Sequence, residues 1–203
     1  MEMQILFILI IGYGLGNILT GDIVSRIYTK KSAFELGTSH NPGMANITAH
    51  IGIIPGILVL LGDILKTVIA IVIAIKCFDG GRMGILYAGL GATLGHNFPF
   101  WHHFKGGKGV TTTATTIFLY SPTLAFIALI AGLIVVIVTK YLALGAVVIV
   151  FAYMALVART PQELLVCALF TALMVYRNYS QLKLIPSGQA EKNDILSKFK
   201  KKH

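Results

Sequence analysis

The chain alternates long apolar stretches with short polar ones. A membrane-spanning helix needs about 20 mostly apolar residues. Six stretches approach or reach that length, and they lie at residues 3–21, 53–77, 83–101, 122–139, 141–158 and 161–177. A seventh stretch, Val110 to Tyr120, is shorter and rich in threonine, and Pro122 after it is well placed to open the next helix. The pattern predicts an all-α membrane protein.

Composition supports this prediction. Of the 203 residues, 56% are hydrophobic and 12% are charged, whereas soluble domains carry about 25% charged residues. The net charge of +9 would also suit a nucleic-acid partner. The basic residues, however, lie between apolar stretches and at the C-terminus, which is typical of loops that flank a membrane. We therefore expect membrane lipids, and no nucleic acid, as partners.

The positions of the lysines and arginines predict the topology. Basic residues follow the first span, follow the third span and crowd the C-terminus; they include Arg26, Lys30, Lys105, Lys108 and Lys183. If all three groups are cytoplasmic, the N-terminus lies outside. The basic tail then returns to the cytoplasm only if 110–120 also crosses. We expect about seven transmembrane helices within residues 1–186, followed by a basic cytoplasmic tail at 187–203.

Residues 35–46 form the first polar segment that could carry chemistry. It combines Gly, Pro, Asn, Ser and Thr between two apolar regions. Residues 41–43 are expected to open a helix that continues towards Ile57, and N–H groups at such a helix start favour an anion. The alternative is a plain connecting loop with an N-cap. The candidate binding residues are Ser39, Asn41, Gly43 and Asn46.

The second polar segment, residues 95–110, reads GHNFPFWHHFKGGKGV. Its glycines allow backbone N–H groups to approach an oxyanion, and its lysines supply compensating charge. A nucleotide-binding P-loop would need glycine at His102 and Ser or Thr at Gly109, so this loop is of another kind. The alternative is an ordinary positively charged hairpin. The candidate binding residues are Asn97, Lys105, Gly106, Gly107, Lys108 and Gly109.

Several other polar or reactive residues lie in apolar surroundings. Asp63 and Lys66 share one face of the second long helix, where they are either a structural ion pair or a substrate contact. His96 is either a general base or a residue that ties the hairpin together. Cys77 and Cys167 lack metal-ligand spacing. We predict no metal site and no cofactor.

Taken together, these segments resemble the bacterial glycerol-3-phosphate acyltransferases of the PlsY type, which use acyl phosphate as donor. The resemblance covers nearly the whole chain and is most specific in Gly95–Pro99 and Phe104–Val110. In that family the second segment is regarded as the glycerol-phosphate site on the cytoplasmic side. The family arrangement of seven helices with the N-terminus outside agrees with the topology predicted above.

The chain departs from the family pattern at several polar positions. Asn17 stands where the family has a serine, and Tyr176 stands where it has a histidine before Arg177. An arginine expected just before Gly37 is missing. These differences leave open an alternative, a catalytically altered paralogue that binds, transports or regulates a phosphorylated lipid or metabolite.

The resemblance favours an enzyme. It implies transfer of an acyl chain to glycerol-3-phosphate, giving lysophosphatidic acid for phospholipid synthesis at the inner membrane. Acyl phosphate has a good leaving group, so alignment of the two substrates is the main requirement. The candidate catalytic residues are His96, Asn17 and Arg177.

Overall fold

The computed structural model describes residues 2–37 and 40–192, and these form an all-α protein. Helices make up every regular element in this part of the chain, and two of the elements are short 3-10 helices, Ala33–Glu35 and Phe100–His102. The chain divides into two compact units, one ending at Tyr120 and one beginning at Ser121. The α-helices are α1 Glu2–Gly16, α2 Thr20–Thr29, α3 Met44–His50, α4 Ile53–Cys77, α5 Gly81–Asn97, α6 Val110–Tyr120, α7 Pro122–Thr139, α8 Leu142–Val157 and α9 Pro161–Leu182.

Membrane residence follows from the helices themselves. Within the described residues, three helical segments are long and apolar enough to cross a bilayer: Glu2–Thr29, Ile53–Cys77 and Pro122–Thr139. Many large apolar side chains are exposed on the helices, including Leu61 and Leu133. Exposed apolar surface of this kind suits lipid rather than water.

Small residues allow α1 and α5 to pack closely. A side chain at Gly16 would collide with the backbone of Ala92, and one at Gly95 would collide with the backbone of Tyr13. Close approach of this kind is the usual way for helices to associate in lipid. It places the C-terminal ends of α1 and α5 side by side, where the polar residues of both helices meet.

The first predicted span, 3–21, is not one continuous helix. Helix α1 ends at Gly16, and α2 begins at Thr20. The reason lies in Asn17, whose amide donates to Tyr13 O and accepts from the Phe100 N–H. Asparagine side chains that bond to nearby backbone compete with helix hydrogen bonds. The break leaves carbonyl groups of residues 16–18 available to other donors.

Two other predicted boundaries were wrong. The helix that starts after Gly43 does not continue to Ile57 but ends at His50, and α4 begins separately at Ile53. Gly52 lies between them with φ of 142°, a conformation that favours glycine. The third predicted span, 83–101, ends at Asn97, and a 3-10 turn follows.

The second unit has clear helix-start signals. Pro122 and Pro161 occupy the first turns of α7 and α9. Thr160 and Glu163 form a capping box at α9, in which each side chain accepts from the other residue's backbone N–H. Tail residues 193–203, like Ser39, lie outside the described residues, so the predicted basic tail is only partly described.

Candidate active site

The loop between α5 and α6 folds back against the end of α5. The Gly107 N–H donates to His96 O at 2.9 Å, and the Phe104 N–H donates to Pro99 O at 3.0 Å. A side chain at Gly106 would collide with His96 O and with the Pro99 ring. Glycine is therefore required here by space, because the loop lies directly on the helix end.

The loop leads straight into the N-terminus of α6. Gly109 has φ of 73° and immediately precedes Val110, the first residue of α6. Lys105 is exposed and Lys108 is half-buried. A helix N-terminus carries N–H groups without intrahelical partners and a partial positive charge. Together with two lysines, this arrangement suits a phosphate.

Asn97 is the last residue of α5 and lies beneath Gly109. Its side chain is fully buried, and a side chain at Gly109 would collide with its amide. Neither amide atom has a hydrogen-bond partner among the residues that the structure describes. A buried polar group without a partner is costly in a folded protein. The Asn97 amide lies beside the loop that suits a phosphate, and this position favours a role in ligand binding.

A buried ionic cluster lies beside the same helix end. The ammonium Nζ of Lys66 lies 2.8 Å from Asp63 Oδ1 and 2.8 Å from His96 Nδ1. It also donates to Ile18 O at 2.8 Å and to Gly16 O at 3.2 Å, the carbonyls left by the break between α1 and α2. Thr20 Oγ1 donates to Asp63 Oδ1 at 2.6 Å. Four elements of the chain meet at this cluster.

Sequence alone indicated the Asp63–Lys66 pair but not its contact with His96. Lys66 and His96 are 30 residues apart in the sequence, and no sequence motif contains both of them. Only the packing of α4 against α5 brings them together. Thr20 was also missed, because nothing in its sequence context indicates a buried acceptor nearby.

Asn17 is fully buried, and its contacts hold the α5–α6 loop in place. Its Oδ1 accepts from the Phe100 N–H at 2.8 Å, and its backbone carbonyl accepts from Trp101 Nε1 at 3.1 Å. Tyr13 supports the same loop by donating to Phe98 O at 2.8 Å. With these contacts, the geometry of Asn17 is that of a positioning residue. Its predicted part in catalysis stays a prediction.

The residues just before the first polar segment are joined to this loop through Asp22. Asp22 Oδ1 accepts from the Ser32 hydroxyl and from the Ala33 N–H, and its Oδ2 pairs with Arg26 at 2.8 Å. His102 Nε2 lies 3.8 Å from the same carboxylate. The structure therefore links the residues just before the first polar segment, Ser32 and Ala33, to His102 of the second through one carboxylate.

The other predicted residues of the first segment have mixed surroundings. Asn46 is buried and donates to Leu36 O at 3.1 Å, which fixes the turn before α3. Within the described residues, Asn41 Oδ1 is buried without a partner. Gly43 is the N-cap of α3, without a side-chain cap. Ser39 lies outside the described residues, so its assignment stays a prediction.

Arg177 belongs to the second unit, on α9. It is half-buried and takes part in at least one polar or electrostatic interaction. The neighbouring Asn178 is buried and donates to Met174 O one turn earlier. The predicted participation of Arg177 in the site stays a prediction.

Comparison with known proteins extends over almost the whole chain. Residues 6–188 match the family model described as glycerol-3-phosphate acyltransferase. The "Glycerol-3-phosphate acyltransferase 1" of Lactobacillus johnsonii is 38% identical over 96% of this chain and 95% of its own length. The glycerol-3-phosphate acyltransferase of Aquifex aeolicus is 29% identical over 92% of this chain and 98% of its own length.

Two crystal structures of the membrane enzyme PlsY have the same fold. The glycerol 3-phosphate form matches with a TM-score of 0.84 and 27% identity, over 96% of this chain and 98% of that one. The lysophosphatidic acid form matches with a TM-score of 0.80 and 28% identity, over 93% of this chain and 94% of that one. The predicted resemblance and the predicted acyltransferase activity are confirmed, and the non-enzymatic alternative is set aside. The chain belongs to the glycerol-3-phosphate acyltransferase family and is a membrane enzyme of phospholipid synthesis.

Proposed function

We propose that this enzyme transfers an acyl chain from acyl phosphate to glycerol-3-phosphate, giving lysophosphatidic acid. The observation that carries the proposal is the glycine-lysine loop at residues 105–109, packed on the end of α5 and continuous with the N-terminus of α6. Family membership supports it, as does the solved PlsY structure in a glycerol 3-phosphate form.

The reaction needs alignment more than strong activation. A hydroxyl oxygen of glycerol-3-phosphate forms an ester bond to the acyl carbon, and the bond from that carbon to the phosphate oxygen breaks. Inorganic phosphate leaves with the bonding electron pair, and the hydroxyl proton passes to solvent or to that phosphate. Since the leaving group is already good, holding both substrates in register supplies most of the rate enhancement.

The loop residues divide this task. The N–H groups of Gly109 and the start of α6 bind the glycerol-phosphate oxyanion. Gly106 and Gly107 shape the loop around it, since the Gly107 N–H already donates to His96 O and Gly106 lies directly on the helix end. Lys105 and Lys108 neutralise its charge. Asn97 supplies amide hydrogen bonds as the ligand settles. Arg177 is proposed to serve the phosphate of the second substrate.

The proposed site faces the cytoplasm. If the segments α1–α2, α4, α5, α6, α7, α8 and α9 each cross once, the chain has seven crossings, and Lys105, Lys108 and Lys183 follow crossings that end on the same side. Helix α6 has 11 residues, and at about 1.5 Å per residue it is shorter than a bilayer core. It therefore makes a short crossing beside longer helices, with the N-terminus of the chain outside the inner membrane.

The test uses purified protein in detergent micelles. Palmitoyl phosphate and radiolabelled glycerol-3-phosphate are added, and lysophosphatidic acid is separated by thin-layer chromatography. Product is expected with palmitoyl phosphate and not with palmitoyl-coenzyme A. Absence of product with palmitoyl phosphate, while labelled glycerol-3-phosphate still binds, overturns the proposal.

A pair of lysine variants locates the site. Lys105→Ala is expected to raise KM for glycerol-3-phosphate about tenfold, because it removes a charge-assisted contact. Lys76→Ala is the matched control, since Lys76 is an exposed lysine at the far end of α4. Equal kinetics in the two variants would place phosphate binding elsewhere.

A further inference from the structure

The Asp63–Lys66–His96 cluster is buried almost completely. Relative exposure is 2% for Asp63, 4% for Lys66 and 4% for His96. Charges at such positions are expensive and are retained where they pair or serve function. Here the ring of His96 connects the cluster to the proposed phosphate loop, because its other edge lies against Gly107.

The distances decide which group orients the imidazole. His96 Nδ1 lies 2.8 Å from Lys66 Nζ but 3.6 Å from Asp63 Oδ1. The first distance is that of a hydrogen bond, and the second is too long for one. The lysine, and not the carboxylate, is therefore the hydrogen-bond partner of Nδ1.

Lys66 in this setting is an ammonium. Its Nζ contacts a carboxylate at 2.8 Å and two backbone carbonyls, and all three are acceptors. The buried Asp63 carboxylate needs a counter-charge, and a lysine amine binds a proton more strongly than an imidazole does, so the charge lies on Nζ. An ammonium has three donors and no acceptor. The three donors match the three contacts at 2.8 Å, to Asp63 Oδ1, Ile18 O and His96 Nδ1, and Gly16 O at 3.2 Å shares one of them. Since the ammonium can only donate, Nδ1 of His96 must accept.

The opposite ring nitrogen therefore carries the hydrogen. In a neutral imidazole one nitrogen accepts and the other donates. A doubly protonated ring is disfavoured because its Nδ1–H would point at the ammonium. His96 Nε2 is the atom nearest to a side chain built at Gly107, so the N–H edge of the ring faces the glycine loop.

We infer that Lys66, held by Asp63, is a positioning residue that fixes His96 as the Nε2–H tautomer, so that His96 acts as a hydrogen-bond donor to the substrate oxyanion rather than as the general base. The inference rests on the proposed function for the identity of the oxyanion, a phosphate or the acyl oxygen. It differs from both alternatives that the sequence left open for His96, a general base or a residue that ties the hairpin together. Nothing about the tautomer itself depends on the reaction.

The first experiment reads the tautomer directly. In protein labelled with ¹⁵N-histidine, the His96 signals are assigned by their loss in His96→Gln. We expect Nδ1 to resonate as an unprotonated nitrogen and Nε2 as an N–H nitrogen near neutral pH. Lys66→Met should abolish this pattern or mix it with the other tautomer. A wild-type ring with hydrogen on Nδ1, or an unchanged spectrum in Lys66→Met, overturns the inference.

The second experiment separates donor from base. Glutamine places an N–H donor near the position of Nε2 but cannot act as a base, and leucine supplies neither. We expect His96→Gln to keep kcat/KM within about tenfold of wild type and His96→Leu to lose about 100-fold or more, the usual effect of losing one oxyanion donor. If His96→Gln is as inactive as His96→Leu, His96 is the base and the inference fails.

The third experiment assigns the effect of Lys66 to His96. Lys66→Met is expected to lower kcat/KM in wild type and to have a much smaller effect in the His96→Gln background. A merely structural lysine would give equal losses in both backgrounds. Because Lys66→Met leaves Asp63 unpaired, Asp63→Asn/Lys66→Met is the companion variant, in which both charges are removed together. If wild type itself lacks acyl transfer, the proposed function fails, and the NMR result still decides the tautomer.

Discussion

The two units of the chain bury very different side chains. In the described residues, every buried polar or charged side chain except Glu163 and Asn178 belongs to the first unit. In the second unit, the buried or half-buried side chains of Thr171 and Asn178 donate to carbonyls one turn earlier, and the longer reach of Thr171 is a weak contact of 3.9 Å with Met154 Sδ, 17 residues away. In the first unit, side-chain hydrogen bonds join positions as distant as Tyr13 and Phe98.

This difference indicates where the chemistry lies. Local hydrogen bonds satisfy side chains in a lipid-facing bundle without fixing any long-range geometry. Long-range buried hydrogen bonds in a low-dielectric interior are costly if incomplete and hold groups in fixed positions. The first unit therefore has the construction of a site, and the second that of a bundle with mostly local hydrogen bonds, which also carries Arg177.

The strongest test of the contrast is to break the buried ion pair. Asp63→Ala leaves the Lys66 ammonium buried without its carboxylate. We expect a loss of roughly 3–5 kcal/mol in the free energy of unfolding, the usual cost of an uncompensated buried charge. The measurement is denaturant-induced unfolding in micelles, followed by circular dichroism.

The matched variant lies in the second unit. Asn178→Leu removes a buried amide whose hydrogen bond goes to Met174 O in the preceding turn. Its effect on the free energy of unfolding should stay within about 1 kcal/mol, because the amide bonds only locally, to the carbonyl and the sulfur of Met174. A comparable loss in both variants would remove the distinction between the units.

The next test acts on the loop. Gly107→Ala places a methyl group against the His96 ring, which cannot move aside because Lys66 holds its other edge. We expect kcat/KM to fall about 100-fold, since displacement of a reacting group by about 1 Å has that effect. Steady-state acyl transfer with palmitoyl phosphate measures it.

A harmless glycine serves as the control. Gly14 lies on α1, and a side chain built there meets nothing within 4 Å. Gly14→Ala should therefore leave kcat/KM unchanged. Wild-type activity in Gly107→Ala would mean that the loop does not lie against His96 during turnover.

Much of the helix pattern is predictable from the sequence, and the misses have a common cause. The spans at 122–139 and 53–77 coincide with α7 and α4, because apolar length and the prolines at helix starts are local signals. The break at Asn17 depends on a hydrogen bond to Phe100, which is distant in sequence. Such a break cannot be read from a hydropathy pattern.

The same limit applies to the site. Lys105 to Gly109 are recognisable because glycines and lysines at that spacing have a local physical meaning. The contact between Lys66 and His96 has no sequence signal, since it depends on how α4 packs against α5. The sequence therefore predicts an anion-binding loop, but it does not predict the Lys66–His96 contact from which we infer the tautomer of His96.

A third test asks whether the buried amide of Asn97 serves binding. Asn97→Leu replaces a side chain that has no partner among the described residues with an apolar one of similar volume. Removing an unsatisfied buried group should leave the melting temperature unchanged or raise it. We expect kcat/KM to fall about tenfold, the scale of one lost hydrogen bond.

Thr93→Val is the comparison for Asn97→Leu. Thr93 is buried on the same helix but already pairs with Thr112 at 2.9 Å. Thr93→Val should lower the melting temperature and leave kcat/KM almost unchanged, which is the reverse of the result expected for Asn97→Leu. If Asn97→Leu lowers stability and keeps full activity, Asn97 is structural.

The smallest expected effect lies at the start of α9, in the second unit. Thr160→Ala removes the hydroxyl that accepts from the Glu163 N–H at 3.2 Å. Loss of such a cap costs about 1 kcal/mol of stability. Thr160 caps the start of α9 and is 17 residues from Arg177 in the sequence, so its loss should affect only folding. The kcat and KM of Thr160→Ala should therefore match those of wild type at temperatures well below unfolding. A fall in kcat with no fall in stability would instead show that the start of α9 takes part in turnover, and the contrast between the two units would then not mark where the chemistry lies.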